Sequence, residues 1–186
     1  MATACLKNEG NLPVRLMFED EARFGRMSDP RSCWAPSPIR PVVNLALIRE
    51  FRYEYATVSP WDGSIDYMTS EKMNTEGMSR FLKQVREAHP AEFNVMVVDC
   101  ASSHKSKELE VPKNISLVFL PPYSPELNPA EQIWNVLRRD YFANKVFDSL
   151  DTATEQAEEG LAAMSKNREN TKSLTNWPWI SVILKA

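Results

Sequence analysis

Hydrophobic and polar residues alternate in the first third of the chain. The segment 14–20 (VRLMFED) has apolar side chains at every second position, which is the period of a β-strand with one buried face. Further β segments are 42–48 and 51–58, and after them Asp62 and Gly63 predict a hairpin turn before a last strand. Segments 42–48 and 51–58 are separated by only two residues, and this part of the chain therefore predicts three antiparallel strands.

The pattern changes to helical spacing from Asn74 onward. Apolar residues then recur every three or four positions until Pro90 ends the helix. Two short and almost continuously apolar segments follow, at 93–99 and 115–120. Such segments are typical of parallel strands that are buried on both faces.

A proline-rich loop leads into a second helix. Asn128 can cap this helix, and Pro129 suits its first position. A third helix is predicted from about Ser149. The order βββαββαα indicates an α/β domain whose mixed five-stranded sheet has three antiparallel strands and then two parallel ones. The order alone also allows other α/β folds.

Composition limits the class of protein. With 186 residues, 43% of them hydrophobic, the chain can bury the core of one domain, which we place at 14–186 after an N-terminal extension at 1–13. No apolar stretch reaches the ~18 residues of a membrane-spanning helix, and no signal peptide is evident. The three cysteines lack CxxC spacing and are odd in number, so we expect free thiols. These features predict a cytoplasmic protein without a membrane partner.

The net charge of −3 argues against a DNA-binding surface, because contact with phosphates normally needs a basic excess. The charges are unevenly distributed, however. Arginines concentrate within residues 1–52, and acidic residues concentrate after Asp148. A basic face could therefore lie beside an acidic C-terminal part, although an ordinary solvated surface explains the arginines equally well.

Two predicted strands end in an aspartate on their apolar face. Asp20 has the parity of Leu16 and Phe18. Asp99 has the parity of Val97. If the two strands are neighbours, the aspartates lie about 5 Å apart, where two unit charges repel by roughly 3 kcal/mol. A divalent cation would remove this repulsion, and Mg²⁺ prefers such oxygen ligands.

A third acid, Glu131, follows the proline-rich loop. Four prolines between 121 and 129 restrict that loop and favour rigid placement of the residue behind it. Glu131 could then complete a two-metal site with Asp20 and Asp99. A structural role is the alternative, because Asn128 and Glu131 also match a capping box, and both aspartates could serve in turns at strand ends.

Four motifs resemble those of the DDE transposases of the mariner superfamily, in its bacterial insertion-sequence branch. They are FEDEARFG at 18–25, CWAP at 33–36, VVDCASSHKS at 97–106 and LPPYSPELNPAEQIW at 120–134. The last motif is long and specific, and the resemblance extends from about Val14 to the C-terminal Trp-Pro-Trp-Ile. It implies a ribonuclease-H-like fold, with helices on both faces of the sheet, and a catalytic triad of Asp20, Asp99 and Glu131.

The resemblance also implies a chemistry. The three acids would hold two Mg²⁺ ions, for which Mn²⁺ could substitute, and would cut and join DNA during transposition. Arg23, Trp34 and His104 are further candidates for contact with DNA. The implied partners are transposon ends and target DNA in the bacterial nucleoid, and a homodimer is compatible with them.

Three features depart from the pattern of these transposases. The 31 residues between Asp99 and Glu131 are slightly fewer than is typical of mariner relatives. Cys100 stands where Asn or Gly is usual. Only residues 1–13 precede the first strand, where family members carry helix-turn-helix modules, so we expect a helix-turn-helix partner or a missing N-terminal module. Two other functions stay open: an inactive or regulatory fragment that acts by interaction alone, and a stand-alone nuclease of the same fold.

Overall fold

The computed structural model describes residue 8 and residues 10–183. Its strands are β1 (Val14–Met27), β2 (Leu47–Ser59), β3 (Ser64–Ser70), β4 (Phe93–Val98) and β5 (Ile115–Phe119). They form one five-stranded sheet in the order β3-β2-β1-β4-β5. The first three strands pair antiparallel, whereas β4 pairs in parallel with β1 and β5 with β4. The predicted mixed sheet is therefore confirmed.

The helices pack against two separate hydrophobic clusters. They are α1 (Thr75–Ala88), α2 (Glu131–Val136), which a π-helical segment (Leu137–Phe142) directly continues, α3 (Leu150–Lys166), α4 (Arg168–Thr175) and α5 (Pro178–Ile183). The α1 helix shares a cluster with Met17 and Met96, and the later helices share the other with Phe18 and Val95. Neighbouring strand residues thus point to opposite faces. Among the described residues, no helix has both the length and the apolarity to cross a bilayer.

Two helices begin where the sequence predicted. Asn74 caps α1, because its side chain accepts a hydrogen bond of 2.8 Å from the backbone N–H of Gly77. Ser149 caps α3 through a reciprocal arrangement with Thr152. Each cap satisfies an N–H group that the first helical turn leaves without a partner.

Two predicted strands differ from the observed ones. The first strand continues beyond Asp20 to Met27, because Ala22 and Phe24 are buried on the same face and pair with β2. The prediction of β structure over 42–48 is wrong for most of that segment, which is irregular, and β2 begins only at Leu47.

The β5 strand is less buried than predicted. Its first two residues are buried, but exposure rises along the strand to 43% at Phe119. Because β5 is the edge strand of the sheet, it has a neighbouring strand on one side only. The free thiols of Cys33 and Cys100 agree with the prediction, whereas Cys5 and most of the predicted extension 1–13 lie outside the described residues.

The second helix begins later than predicted. The segment Pro125–Leu127 forms a 3-10 turn, and the backbone N–H of Asn128 donates to the carbonyl oxygen of Pro125 at 2.9 Å. The α2 helix starts at Glu131 without a side-chain cap. The predicted capping box is therefore not formed. In a capping box the Glu131 side chain would accept a hydrogen bond from the backbone N–H of Asn128, but this N–H already donates to Pro125.

Glu54 is an acid buried in the middle of the sheet. Its side chain accepts a hydrogen bond of 2.9 Å from the Thr69 hydroxyl, and the same hydroxyl lies 2.8 Å from a carboxylate oxygen of Glu158. One hydroxyl proton cannot serve both carboxylates. Burial raises the pKa of Glu54 from 4.5 to about 7. The hydrogen bond from Thr69 lowers the pKa, and the charge of Glu158 raises it further.

We expect Glu54→Gln to remove part of the pH dependence of stability. An acid whose pKa is raised by folding stabilises the protein at low pH, and this contribution is lost as the pH rises from about 4.5 to about 7. The difference in unfolding free energy between variant and wild type should therefore grow by about 2–3 kcal/mol from pH 5 to pH 8, in favour of the variant.

Urea unfolding at the two pH values measures this change. Glu71→Gln is the matched control, because Glu71 is an exposed glutamate that pairs with Arg52 at the surface. Its difference from wild type should stay nearly constant with pH, since exposed ion pairs contribute little. An equally constant difference for Glu54→Gln would show that Glu54 is ionised in the folded protein.

Candidate active site

Asp20 and Asp99 lie at the same edge of the sheet. The last parallel pair between β1 and β4 is Phe18 opposite Val97. Each aspartate follows two residues later, so the register places both at the same level on neighbouring strands. Adjacent strands are about 5 Å apart. The juxtaposition that parity predicted for the two aspartates therefore follows from the observed pairing.

Glu131 reaches the same edge from the first turn of α2. Asp20, Asp99 and Glu131 line one cavity of about 500 Å³. The proline-rich segment 121–125 and the exposed Lys105 form other parts of its wall. The three acids that the sequence singled out thus come from three elements to one opening.

The carboxylates of the three acids line this cavity but are not all within 4.8 Å of one another. Over residues 8 and 10–183, the group of three side chains whose potential ligand atoms all lie within 4.8 Å of one another is Glu19, Glu21 and His104. Glu19 and Glu21 point to the face of β1 opposite to Asp20, and none of these three residues lines the cavity. The open arrangement leaves room for other ligands between the three carboxylates.

The Asp20 carboxylate is held by a hydrogen bond, and its surroundings disfavour its ionised form. Its Oδ2 accepts a hydrogen bond of 3.0 Å from Nε1 of the buried Trp134. Burial raises the pKa of Asp20 to about 7, and the charge of Glu131 adds to the increase, although the Trp134 hydrogen bond opposes it. A cation bound beside Asp20 and Glu131 would offset both the cost of burying the Asp20 charge and its repulsion by Glu131.

Asn128 fixes the loop that carries Glu131. Its side-chain N–H donates to the backbone oxygen of Glu19 at 2.9 Å, and its Oδ1 accepts from the backbone N–H of Ala130 at 3.1 Å. The loop is thereby bound to β1 one residue before Asp20. The sequence pattern gave Asn128 only the role of a helix cap, because a contact with a distant strand leaves no periodic pattern.

Asp99 lies just beyond the end of β4, and its side chain is 52% exposed. Its Oδ1 accepts a hydrogen bond of 2.8 Å from the backbone N–H of Ala101 and lies 2.8 Å from Nδ1 of His104. The neighbouring Cys100 thiol donates to the carbonyl oxygen of Leu120 at 3.2 Å. The unusual Cys100 therefore connects the ends of β4 and β5 beside the cavity.

His104 is buried between acids, and 1% of its side chain is exposed. Its Nε2 lies 3.1 Å from Glu21 and 3.6 Å from the fully buried Glu19. Burial alone would favour a neutral ring, but Glu21 and Asp99 raise the pKa of His104 above its usual value. Burial, followed by the charges of Glu21, Asp20 and Asp99, also raises the pKa of Glu19. The expectation that His104 contacts DNA does not fit this placement, because the ring is covered by protein.

The other two expected DNA contacts lie away from the cavity. Arg23 projects from β1 over the ring of Phe51, with 4.9 Å between its guanidinium carbon and the ring centre. Trp34 is fully exposed in the irregular segment between β1 and β2. Both side chains are accessible, and neither lines the cavity wall.

Two cavity residues carried no distinguishing pattern in the sequence. Lys105 is exposed at the cavity, where it is the kind of side chain that attracts phosphate. Tyr123 also lines the cavity, is fully exposed, and has a φ of 59°, a left-handed conformation that is uncommon for residues other than glycine. Both stand within motifs that resembled the transposases, but only the fold shows that they share the cavity with the acids.

Comparison with known proteins gives a consistent picture. A family model described as DDE superfamily endonuclease matches residues 15–154. The uncharacterized protein y4pE/y4sA of Sinorhizobium fredii (strain NBRC 101917 / NGR234) is 35% identical over 100 residues, which are 53% of this chain and 74% of the relative.

Solved structures with the same fold include complexes of the Mos1 transposase. Its paired-end complex with the left transposon end matches 92% of this chain and 58% of the Mos1 chain, with a TM-score of 0.57 and 14% identity. The Mos1 mariner paired-end complex with Mn matches 88% and 56%, with a TM-score of 0.55 and 14% identity. The predicted ribonuclease-H-like fold is confirmed, and the chain spans little more than half the length of these transposases.

Proposed function

The chain belongs to the DDE superfamily endonucleases, and from this membership we propose that it cuts and joins DNA as the metal-dependent catalytic domain of a transposase. The convergence of Asp20, Asp99 and Glu131 on one cavity carries this proposal. The fold, shared with the Mos1 transposase, supports it. DNA is the proposed substrate, both as transposon end and as target.

The chemistry of the three acids fits divalent metal. All three offer hard carboxylate oxygens, the ligands that Mg²⁺ and Mn²⁺ prefer. Burial, and after it the charge of Glu131, raises the pKa of Asp20, and a bound cation would favour the ionised carboxylate. Asp20, Asp99 and Glu131, which line the same cavity, would together hold the metal. When bound, such ions activate the attacking oxygen and stabilise the leaving oxygen of an in-line phosphoryl transfer.

The chain itself supplies positioning. Trp134 orients the Asp20 carboxylate, and Asn128 fixes the loop before Glu131. Lys105, which also lines the cavity, would attract the DNA phosphate toward it. Holding groups in a fixed geometry is the main contribution that a protein makes to phosphoryl transfer.

Recognition of transposon ends is proposed to come from elsewhere. The described residues form the sheet that carries the acidic site, its helices and their connections. We propose that a helix-turn-helix module, on another segment or another chain, brings the ends to this domain. The Mos1 paired-end complex, which holds a transposon end, provides the precedent for such an assembly.

A joining assay tests the proposed function. The protein is incubated with a supercoiled plasmid and a fluorescent oligonucleotide that ends in a free 3′-hydroxyl, with Mg²⁺ or Mn²⁺ or with EDTA. We expect the label to become covalently attached to the plasmid in either metal and not in EDTA. Nicking without joining would identify a nuclease instead of a transposase. Binding of the plasmid without either reaction would favour a regulatory fragment.

A further inference from the structure

Asp99 needs external support to keep one orientation. It follows the last residue of β4, so the hydrogen bonds of the sheet do not hold it, and its side chain is half exposed. A half-exposed carboxylate beyond a strand end can adopt several rotamers. A metal ligand must nevertheless be held closely to its productive geometry.

His104 provides a rigid connection between Asp99 and the neighbouring strand. Its Nδ1 lies 2.8 Å from Oδ1 of Asp99 and 3.3 Å from the backbone oxygen of the same residue. Its Nε2 lies 3.1 Å from Glu21, which is adjacent in sequence to Asp20 on β1. The ring therefore joins the ends of the two strands that carry the aspartates.

We propose that His104, anchored by Glu21, is a positioning residue that orients the Asp99 carboxylate for metal binding. The inference depends on the proposed role of Asp99 as a metal ligand. Both close contacts of the carboxylate, from Ala101 N–H and from His104, are made to Oδ1. Oδ2 is thereby presented to the cavity as the ligand oxygen.

The surroundings of the ring explain why it can orient another side chain. Its burial leaves little freedom to rotate. Glu19, 3.6 Å from Nε2 and fully buried, has no hydrogen-bond partner on either carboxylate oxygen, so the ring faces acids at both ends. Carboxylates that bind metal are usually held by hydrogen bonds from outer residues, and loss of such a residue typically weakens metal affinity about 10- to 100-fold.

Binding of Mn²⁺ alone, followed by electron paramagnetic resonance, tests the proposal without relying on activity. We expect His104→Ala to weaken Mn²⁺ binding about 10- to 100-fold relative to wild type. The matched control is His89→Ala, which removes the other histidine of the chain; His89 lies 2.8 Å from Asp66, outside the cavity. This control should bind Mn²⁺ as the wild type does.

Two further variants separate positioning from simple filling of space. In His104→Asn the amide nitrogen lies near the former Nδ1 and can donate to Asp99, whereas in His104→Gln it lies near the former Nε2 and faces Glu21. We expect Asn to restore part of the Mn²⁺ affinity and Gln, although closer in size to histidine, to restore less. Thermal unfolding without metal identifies any variant that does not fold, and the Asn–Gln comparison then decides.

The outcomes distinguish this inference from the proposed function. If Asp20→Asn abolishes Mn²⁺ binding while His104→Ala and both amide variants bind like wild type, the metal site stands and the positioning role is overturned. If Gln restores binding better than Asn, the ring merely fills space, and the role is likewise overturned. If the wild type does not bind Mn²⁺, or if Asp20→Asn binds it as well as the wild type does, the proposed metal site is wrong. The positioning role of His104 is then wrong as well.

Discussion

Replacement of Asp20 by asparagine is expected to lower metal-dependent DNA cleavage and joining by about 10³-fold, since losing roughly 4 kcal/mol of transition-state stabilisation has this effect on a rate. Asparagine has nearly the same shape and keeps an oxygen that can accept the hydrogen bond from Trp134. It lacks the negative charge that would bind the proposed ions. The substitution therefore removes the charge with little change to the packing.

The folded protein should tolerate this substitution. Asp20 is held close to Glu131 although burial and that neighbour raise its pKa, so the charge at this position opposes folding. We expect the unfolding temperature of Asp20→Asn, measured without metal, to equal or exceed that of the wild type. Loss of activity together with undiminished stability is the pattern of a functional site whose charges are not optimised for folding.

The rates are measured under single-turnover conditions on labelled DNA in Mg²⁺. Asp148→Asn serves as the control, because it removes an exposed carboxylate that does not line the cavity, and its rate should match that of the wild type. An Asp20→Asn protein that still cleaves at the wild-type rate in Mg²⁺ would contradict the proposed two-metal site.

The sequence was most informative where structure repeats at a fixed period. Alternation in the segment 14–20 predicted that Asp20 lies on the same face of the strand as Phe18. Phe18 is indeed buried in the hydrophobic cluster on that face of the sheet. The continuous apolar segment before Asp99 correctly predicted a strand buried along its whole length. Because the two strands are parallel neighbours, these local patterns were sufficient to bring both aspartates to one edge.

Contacts between distant segments could not be predicted in this way. The burial of His104 depends on Glu21, 83 residues earlier in the chain, and no local pattern encodes that partner. The link from Asn128 to the backbone of Glu19 spans 109 residues. The sequence therefore suggested His104 only as a candidate for contact with DNA and Asn128 only as a helix cap, whereas the fold places both beside the acidic residues.

Gly25 belongs to the motif FEDEARFG but has a role in strand pairing. It lies opposite Phe51 of β2, where the register of the two strands shifts before Met27. A Cβ atom at this position would overlap the backbone oxygen of Glu50 and would lie 2.9 Å from the Cα of Phe51. Both obstacles are backbone atoms, which cannot move aside by a change of rotamer.

We expect Gly25→Ala to destabilise the protein by about 3 kcal/mol, because overpacking against backbone forces the strands apart. For a chain of this size the unfolding temperature should fall by roughly 6–12 °C, as followed by circular dichroism. Gly10→Ala is the matched control, since the nearest atom to its added Cβ, in Leu12, is 3.6 Å away. An unchanged unfolding temperature for Gly25→Ala would mean that β1 and β2 can separate at this point without loss, and that the glycine is not required for their pairing.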